Sequence, residues 1–163
     1  MPQLIKGRAV VAADGWVQAG TEAAAGATKL ILPMAEYLKA VAAGEPARDR
    51  AVLLKPEEHD LAPLVPHLGS LPLIAVHFST TGDGRGYTQA RLLRERYGYQ
   101  GELRAVGKIR VDQMWFLARC GFDAFELLDD EDPRTAIEQL ERFSVAYQPG
   151  VGELTHVRRR YGG

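Results

Sequence analysis

Apolar residues along this chain come in short runs that alternate with segments of helical period. Between residues 29 and 128 the runs fall at Lys29–Leu32, Ala51–Leu54, Leu73–Phe78, Glu102–Val106 and Ala124–Leu128. Leu73–Phe78 is nearly all apolar, as expected of a strand buried on both faces of a parallel sheet. Pro33 opens a helix through about Ala42, where the missing N–H of proline costs nothing. Pro56–Leu68 carries Leu61, Leu64 and Leu68 on one face, but Pro63 and Pro66 predict a short or irregular helix. A helix from about Tyr87 to Tyr97 turns Ala90, Leu93 and Tyr97 inward and Arg91, Arg94 and Glu95 outward. Another starts at Asp112, packs Met114, Leu117 and Ala118, and stops at Gly121. Asp132-Pro133 predicts a capped start for a helix lined by Ala136, Ile137, Leu140 and Phe143, and Ser144–Tyr147 reads as a last strand.

This alternation predicts one α/β domain over residues 1–150 with right-handed crossovers and a mainly parallel sheet, followed by a basic tail at 151–163. An open sheet is the preferred expectation and a partial βα barrel the alternative, because both show the same alternation. Ahead of the repeating part, RAVVAADGWVQ (residues 8–18) places Asp14-Gly15 between two apolar runs, which predicts an amino-terminal β-hairpin turning there.

Composition narrows the class. The 163 residues suffice for a real core, and a net charge of −1 speaks against a nucleic-acid partner. With one cysteine, Cys120, the chain has no internal disulfide and no cysteine-held cluster of its own. His59, His67, His77 and His156 lack ligand spacing, so no metal site is expected. His77, inside an apolar strand, reads as a structural histidine, and Cys120 as a packed thiol. No apolar stretch approaches a membrane span or a signal peptide, so no membrane partner and a cytoplasmic location are expected.

Candidate chemistry concentrates after two strands. Gly82, Gly84 and Gly86 surround Asp83 and Arg85, and glycines there would let backbone amides approach an anion at the start of the following helix. The pattern matches neither the dinucleotide fingerprint nor the phosphate loop. The opposing reading is a tight turn with Arg85 solvated or paired to Asp83. Lys108, Arg110 and Asp112 follow the next strand, and Asp129, Asp130 and Glu131 the one after. If those strands are neighbours, Arg85, Lys108 and Arg110 would form a basic cluster facing an acidic rim, suited to a sulfur oxyanion, a phosphate or an acidic partner surface. The plainer reading is a helix cap at Asp112 and solvated loop charges. The candidate ligand- or partner-binding set is therefore Asp83, Gly84, Arg85, Gly86, Lys108, Arg110 and Asp112, with no catalytic residue assigned. Arg158–Arg160 reads either as a docking tail or as a solvated end.

The segments LILPMAEYL (30–38), LIAVHF (73–78), DGRGYTQARLLRERYGYQGELRAVG (83–107), RCGFDAFEL (119–127) and FSVAYQ (143–148) resemble the bacterial family catalogued as domain of unknown function 934. The resemblance implies an oxidoreductase or accessory subunit of assimilatory sulfite reduction, partnered by a sirohaem sulfite reductase or its electron donor. The residues hold no haem or iron–sulfur ligand set, so a redox role would borrow a flavin, a nicotinamide or a partner's cofactor; no motif here supports a bound flavin or nicotinamide. Whether the chain is itself an enzyme is left open. An enzyme acting on a small anionic substrate at the strand-end loops and a non-catalytic interaction module are the alternatives, and a homo-oligomer is allowed. Two departures from the family pattern stand beside the candidate loops: Ser79-Thr80-Thr81-Gly82, where the family usually carries a proline and a phenylalanine, and Lys108, where an aspartate is common.

Overall fold

The computed structural model describes residues 2–142. The expected strand at Ser144–Tyr147 and the basic tail at 151–163 lie outside the described residues. Eight strands form one sheet: β1 (Gln3–Lys6), β2 (Ala9–Val11), β3 (Trp16–Gln18), β4 (Lys29–Pro33), β5 (Arg50–Leu54), β6 (Leu73–Phe78), β7 (Glu102–Gly107) and β8 (Ala124–Leu127). Their spatial order is β2-β1-β8-β7-β6-β5-β4-β3, with β3 to β8 parallel in sequence order and β1 antiparallel to both β8 and β2. The α-helices among the described residues are α1 (Met34–Ala42), α2 (Gly84–Arg91), α3 (Met114–Arg119) and α4 (Pro133–Glu141). Pro56–Leu68 yields only a 3-10 segment at Ala62–His67, as its two prolines require.

Parallel strands laid down in sequence order by right-handed crossovers put every helix on the same face. The strands divide accordingly, by period-two alternation. Leu32, Val52, Leu54, Ile74, Val76, Phe78, Leu103, Ala105, Phe125 and Leu127 pack in the helix-side core. Ile31, Ala51, Leu53, Leu73, Ala75 and Val106 pack on the other face. That second face has no helix layer, so it is buried by curvature.

The curvature follows from chain length. Laid flat, eight strands would separate the two edges by about 34 Å. The chain passes from the end of β2 to the start of β3, which are those two edges, through residues 12–15 alone. Such a link reaches at most about 18 Å. The sheet therefore curls into a half barrel, and of the two arrangements the alternation allows, this is the partial barrel.

One expectation is corrected. The amino-terminal hairpin exists, but its turn is Gly7-Arg8, between the paired Lys6 and Ala9. Gly7 has φ +58°, as a two-residue turn with glycine in first place requires. Asp14-Gly15 belongs to the strap that joins the opposite edges, and Trp16–Gln18 pairs in parallel with β4. An Asp-Gly pair marks a change of direction; it does not say which strands flank it in the sheet. A second correction concerns Arg94. Its guanidinium turns in to donate to the carbonyls of Tyr99, Gly101 and Gly121 at 2.8, 2.8 and 3.0 Å, satisfying backbone acceptors where the chain enters β7.

Candidate functional site

Because β6 and β7 are parallel neighbours, the loops that follow them leave the same end of the sheet. They touch: the Lys108 N–H donates to the Phe78 carbonyl at 2.8 Å, and the Thr81 hydroxyl to the Lys108 carbonyl at 3.4 Å. Within this shared edge Asp83, Arg85, Gly86 and Arg110 each have a definite structural role. Asp83 caps α2 by accepting from the Arg85 N–H at 3.1 Å. The Arg85 side chain folds back on the same carboxylate at 3.0 and 2.9 Å, and those bonds hold the Asp83 carboxyl below its usual range. Gly84 is exposed with open space around its Cα, whereas a Cβ on Gly86 would lie 2.6 Å from the Phe78 ring. Gly86 thus permits α2 to sit on β6 rather than letting a ligand approach.

Arg110 also turns to carboxylates. It lies 3.3 Å from Asp130 and, through Nε, 2.6 Å from Glu131 Oε1, a charge contact off the hydrogen-bond line. The buried Glu131 accepts from the Val111 N–H at 3.2 Å through its other oxygen. Lys108 and Asp112 are exposed. The structure therefore brings the two loops together and spends Arg85 and Arg110 on their own carboxylates. Phe116, 45 % exposed, stands on this side against Tyr87 with ring centroids 4.9 Å apart. Gln113 donates to the Tyr87 hydroxyl at 3.0 Å and fixes that ring.

A second location emerges inside the curl. A cavity of about 270 Å³ is lined by side chains from every strand except β2, together with the strap at Ala12–Gly15. Its walls are apolar, and one end carries a charge network. Arg104, with a side chain 3 % exposed, pairs with Asp14 and, at 2.6 Å, with Glu102. Lys6 completes the ring at 2.7 Å from both carboxylates. Burial pushes the Asp14 carboxyl up, but the bonds from Lys6 and Arg104 outweigh it and leave it low. For Lys6, burial works downward, and the bonds to Asp14 and Glu102 carry the ammonium above its ordinary value. Two cations and two carboxylates satisfy one another here, and the network ties the strap to β1 and β7. Glu126, on β8, lines the same cavity without joining it.

At the carboxyl ends of the strands a smaller cavity of about 160 Å³ opens on the same face, lined by Gln18, Lys55, Glu57, His77 and Ser79 beside Leu53. The Ser79 hydroxyl lies 3.4 Å from His77 Nδ1. The loop bearing Lys55 is held from behind by Gln89 of α2, whose amide donates to the carbonyls of Lys55 and Glu58 at 2.8 and 2.9 Å. His77 thus faces a cavity at the end where ligands bind in βα folds. Cys120 is fully buried in the helix-side core, and burial pushes its thiol up. Among the described residues no group of histidine, cysteine or acidic side chains is arranged to hold a metal ion. Among the same residues, no helix is long and apolar enough to cross a membrane.

Sequence reasoning passed over Lys6, Asp14, Arg104 and Glu126 as site residues. A signal existed for two of them: Arg104 and Glu126 interrupt otherwise apolar strands, where a buried charge demands a partner or a purpose. Nothing local signals that Asp14 meets Arg104 across 90 residues.

No curated protein and no solved structure matches this chain. Residues 51–157 match a family described as bacterial protein of unknown function, DUF934, a span running from β5 through the last described helix and beyond. On that match, which covers most of the chain, the protein belongs to the DUF934 family.

Proposed function

We propose that this protein is an accessory subunit of assimilatory sulfite reduction, acting with a sirohaem sulfite reductase or its electron donor through the strand-end loops after β6 and β7. The sulfite link comes from the resemblance carried by the 83–107 run. The observation that favours contact with another protein is the mixed surface around those loops. Exposed Lys108 and Asp112 lie in a loop that touches the Ser79–Gly82 segment, and half-exposed Phe116 is propped by Tyr87 on the same side. Aromatic anchors ringed by charge are typical of protein interfaces. The test is a deletion strain grown on sulfate or sulfite as its only sulfur source and complemented with wild type, Lys108→Glu or Phe116→Ser. Failure of the deletion strain and of both variants, rescued by wild type, is the expected result. Growth of the deletion strain equal to its parent removes the sulfite role, whereas full rescue by both variants moves the contact elsewhere on the molecule.

A second reading is an enzyme for a small anionic substrate, favoured by one feature: Lys55, His77 and Ser79 line a cavity at the carboxyl ends of the strands. His77→Ala then abolishes complementation with the fold intact, while Lys108→Glu does not.

A further inference from the structure

The cavity inside the curl, which shares Gln18 and Leu53 with the strand-end cavity, carries a feature that the charge network does not use. Three charged side chains line it: Asp14, Arg104 and Glu126. The first two are paired with each other, and Lys6 and Glu102 complete their neutral ring. Lys29, the first residue of β4, lies over the Trp16 ring at 5.5 Å. Glu126 alone accepts no hydrogen bond or ion pair from a described residue. Its place is set by register: it pairs with Leu4 on β1, and continuing the Arg104–Ala124 and Ala105–Phe125 pairs puts it beside Val106.

Burial pushes the Glu126 carboxyl above its usual range, against the pull of Arg104. Keeping an unpaired carboxyl among apolar walls costs free energy. A ligand that brings a cationic donor recovers that cost through a charge-assisted hydrogen bond. The walls around it, Leu4, Trp16, Ile31, Leu53, Ala75 and Val106, suit an apolar body.

We propose that this cavity is a binding site for a small organic cation, its apolar body lying against Trp16, Leu53 and Val106 and its protonated nitrogen donating to Glu126. This assignment stands independently of the sulfite role.

The experiment titrates the full chain with benzylamine, with benzyl alcohol and with benzoate, following the Trp16 indole and the Val106 and Glu126 amides by nitrogen-15 NMR. Benzylamine is expected to shift these signals saturably and to bind about tenfold or more tighter than either comparison probe. Glu126→Gln, which keeps the shape and removes the charge, weakens benzylamine about tenfold and leaves benzyl alcohol unchanged. Glu126→Asp, with its carboxylate set back by one methylene, keeps the preference for the amine over the alcohol. Backbone spectra of both variants establish that the fold persists. The proposal fails if benzylamine shifts none of these signals, if benzoate binds as well as benzylamine, or if Glu126→Gln binds benzylamine like the parent.

Discussion

Asp14 is where the strap meets the barrel, and its carboxylate is shared between Lys6 and Arg104. Arg104 is buried, so losing one carboxylate partner leaves its charge less well compensated. Asp14→Asn is expected to lower stability by about 1–3 kcal/mol at neutral pH, measured by urea unfolding. The pH dependence has a definite sign. Asp14 titrates below its ordinary value in the folded chain, so its contribution is present above the unfolded carboxyl pKa of about 3.9 and lost as pH falls through the folded one. The gap between wild type and Asp14→Asn should therefore narrow as pH drops below about 4. A gap constant from pH 7 to the lowest pH at which both proteins fold would contradict this account. Lys6 acts at the other limit: its raised pKa makes its contribution complete below about 10.4 and lost only as pH rises past the folded value.

At the scale of elements, α2 shows how residues of one type do different work two positions apart. A Cβ at Gly86 would meet the Phe78 ring at 2.6 Å, and one at Gly84 would meet nothing within 4 Å. Gly86→Ala is expected to destabilise by about 1–3 kcal/mol, because the buried Phe78 packs against Tyr87 and Phe122 and has little room to yield. Gly84→Ala should instead be neutral or stabilise by up to about 1 kcal/mol, since alanine is the better helix former. Thermal unfolding of the two variants reads this directly, and equal effects would show that helix propensity rather than contact with β6 controls the position. Both glycines sit in a segment that sequence leaves open between an anion loop and a tight strand-to-helix turn. Only the packing separates a helix-on-strand contact from a backbone left open.

For the whole molecule, stability is graded from the middle of the sheet outward. β5, β6 and β7 have strands on both sides and buried residues on both faces, whereas β2 and β3 have one strand neighbour each and β2 is largely exposed. Amide hydrogen exchange should place Val52–Leu54, Ile74–Val76 and Leu103–Ala105 near the global unfolding free energy, with Ala9–Val11 exchanging first. Protection of β2 equal to that of β6 would mean that the half barrel opens as one unit. The same architecture explains why two cavities lie on one face: curling the sheet turns the face that lacks helices into an interior, apolar along its floor and charged where the strap crosses.

The pattern of apolar runs determined β4 to β8, the helices between them, the α4 cap at Asp132 and the predominance of parallel strands, because these follow from local periodicity and from the handedness of crossovers. The adjacency of the 79–86 and 107–112 loops was legible for the same reason, since consecutive parallel strands deliver their loops to one edge. Three things were decided only by tertiary structure. The curl arises because residues 12–15 must span opposite edges, a constraint that exists only once strand order is known. The pairing of Arg85 and Arg110 with carboxylates depends on side-chain geometry, and sequence kept a basic cluster open as the alternative to the plainer reading. The interior network of Lys6, Asp14, Glu102 and Arg104, with Glu126 unpaired beside it, joins residues as far apart in sequence as Lys6 and Glu102. Each of those charges sits in or beside a short apolar run with no motif of its own, and only closure of the sheet gives them a common interior to face.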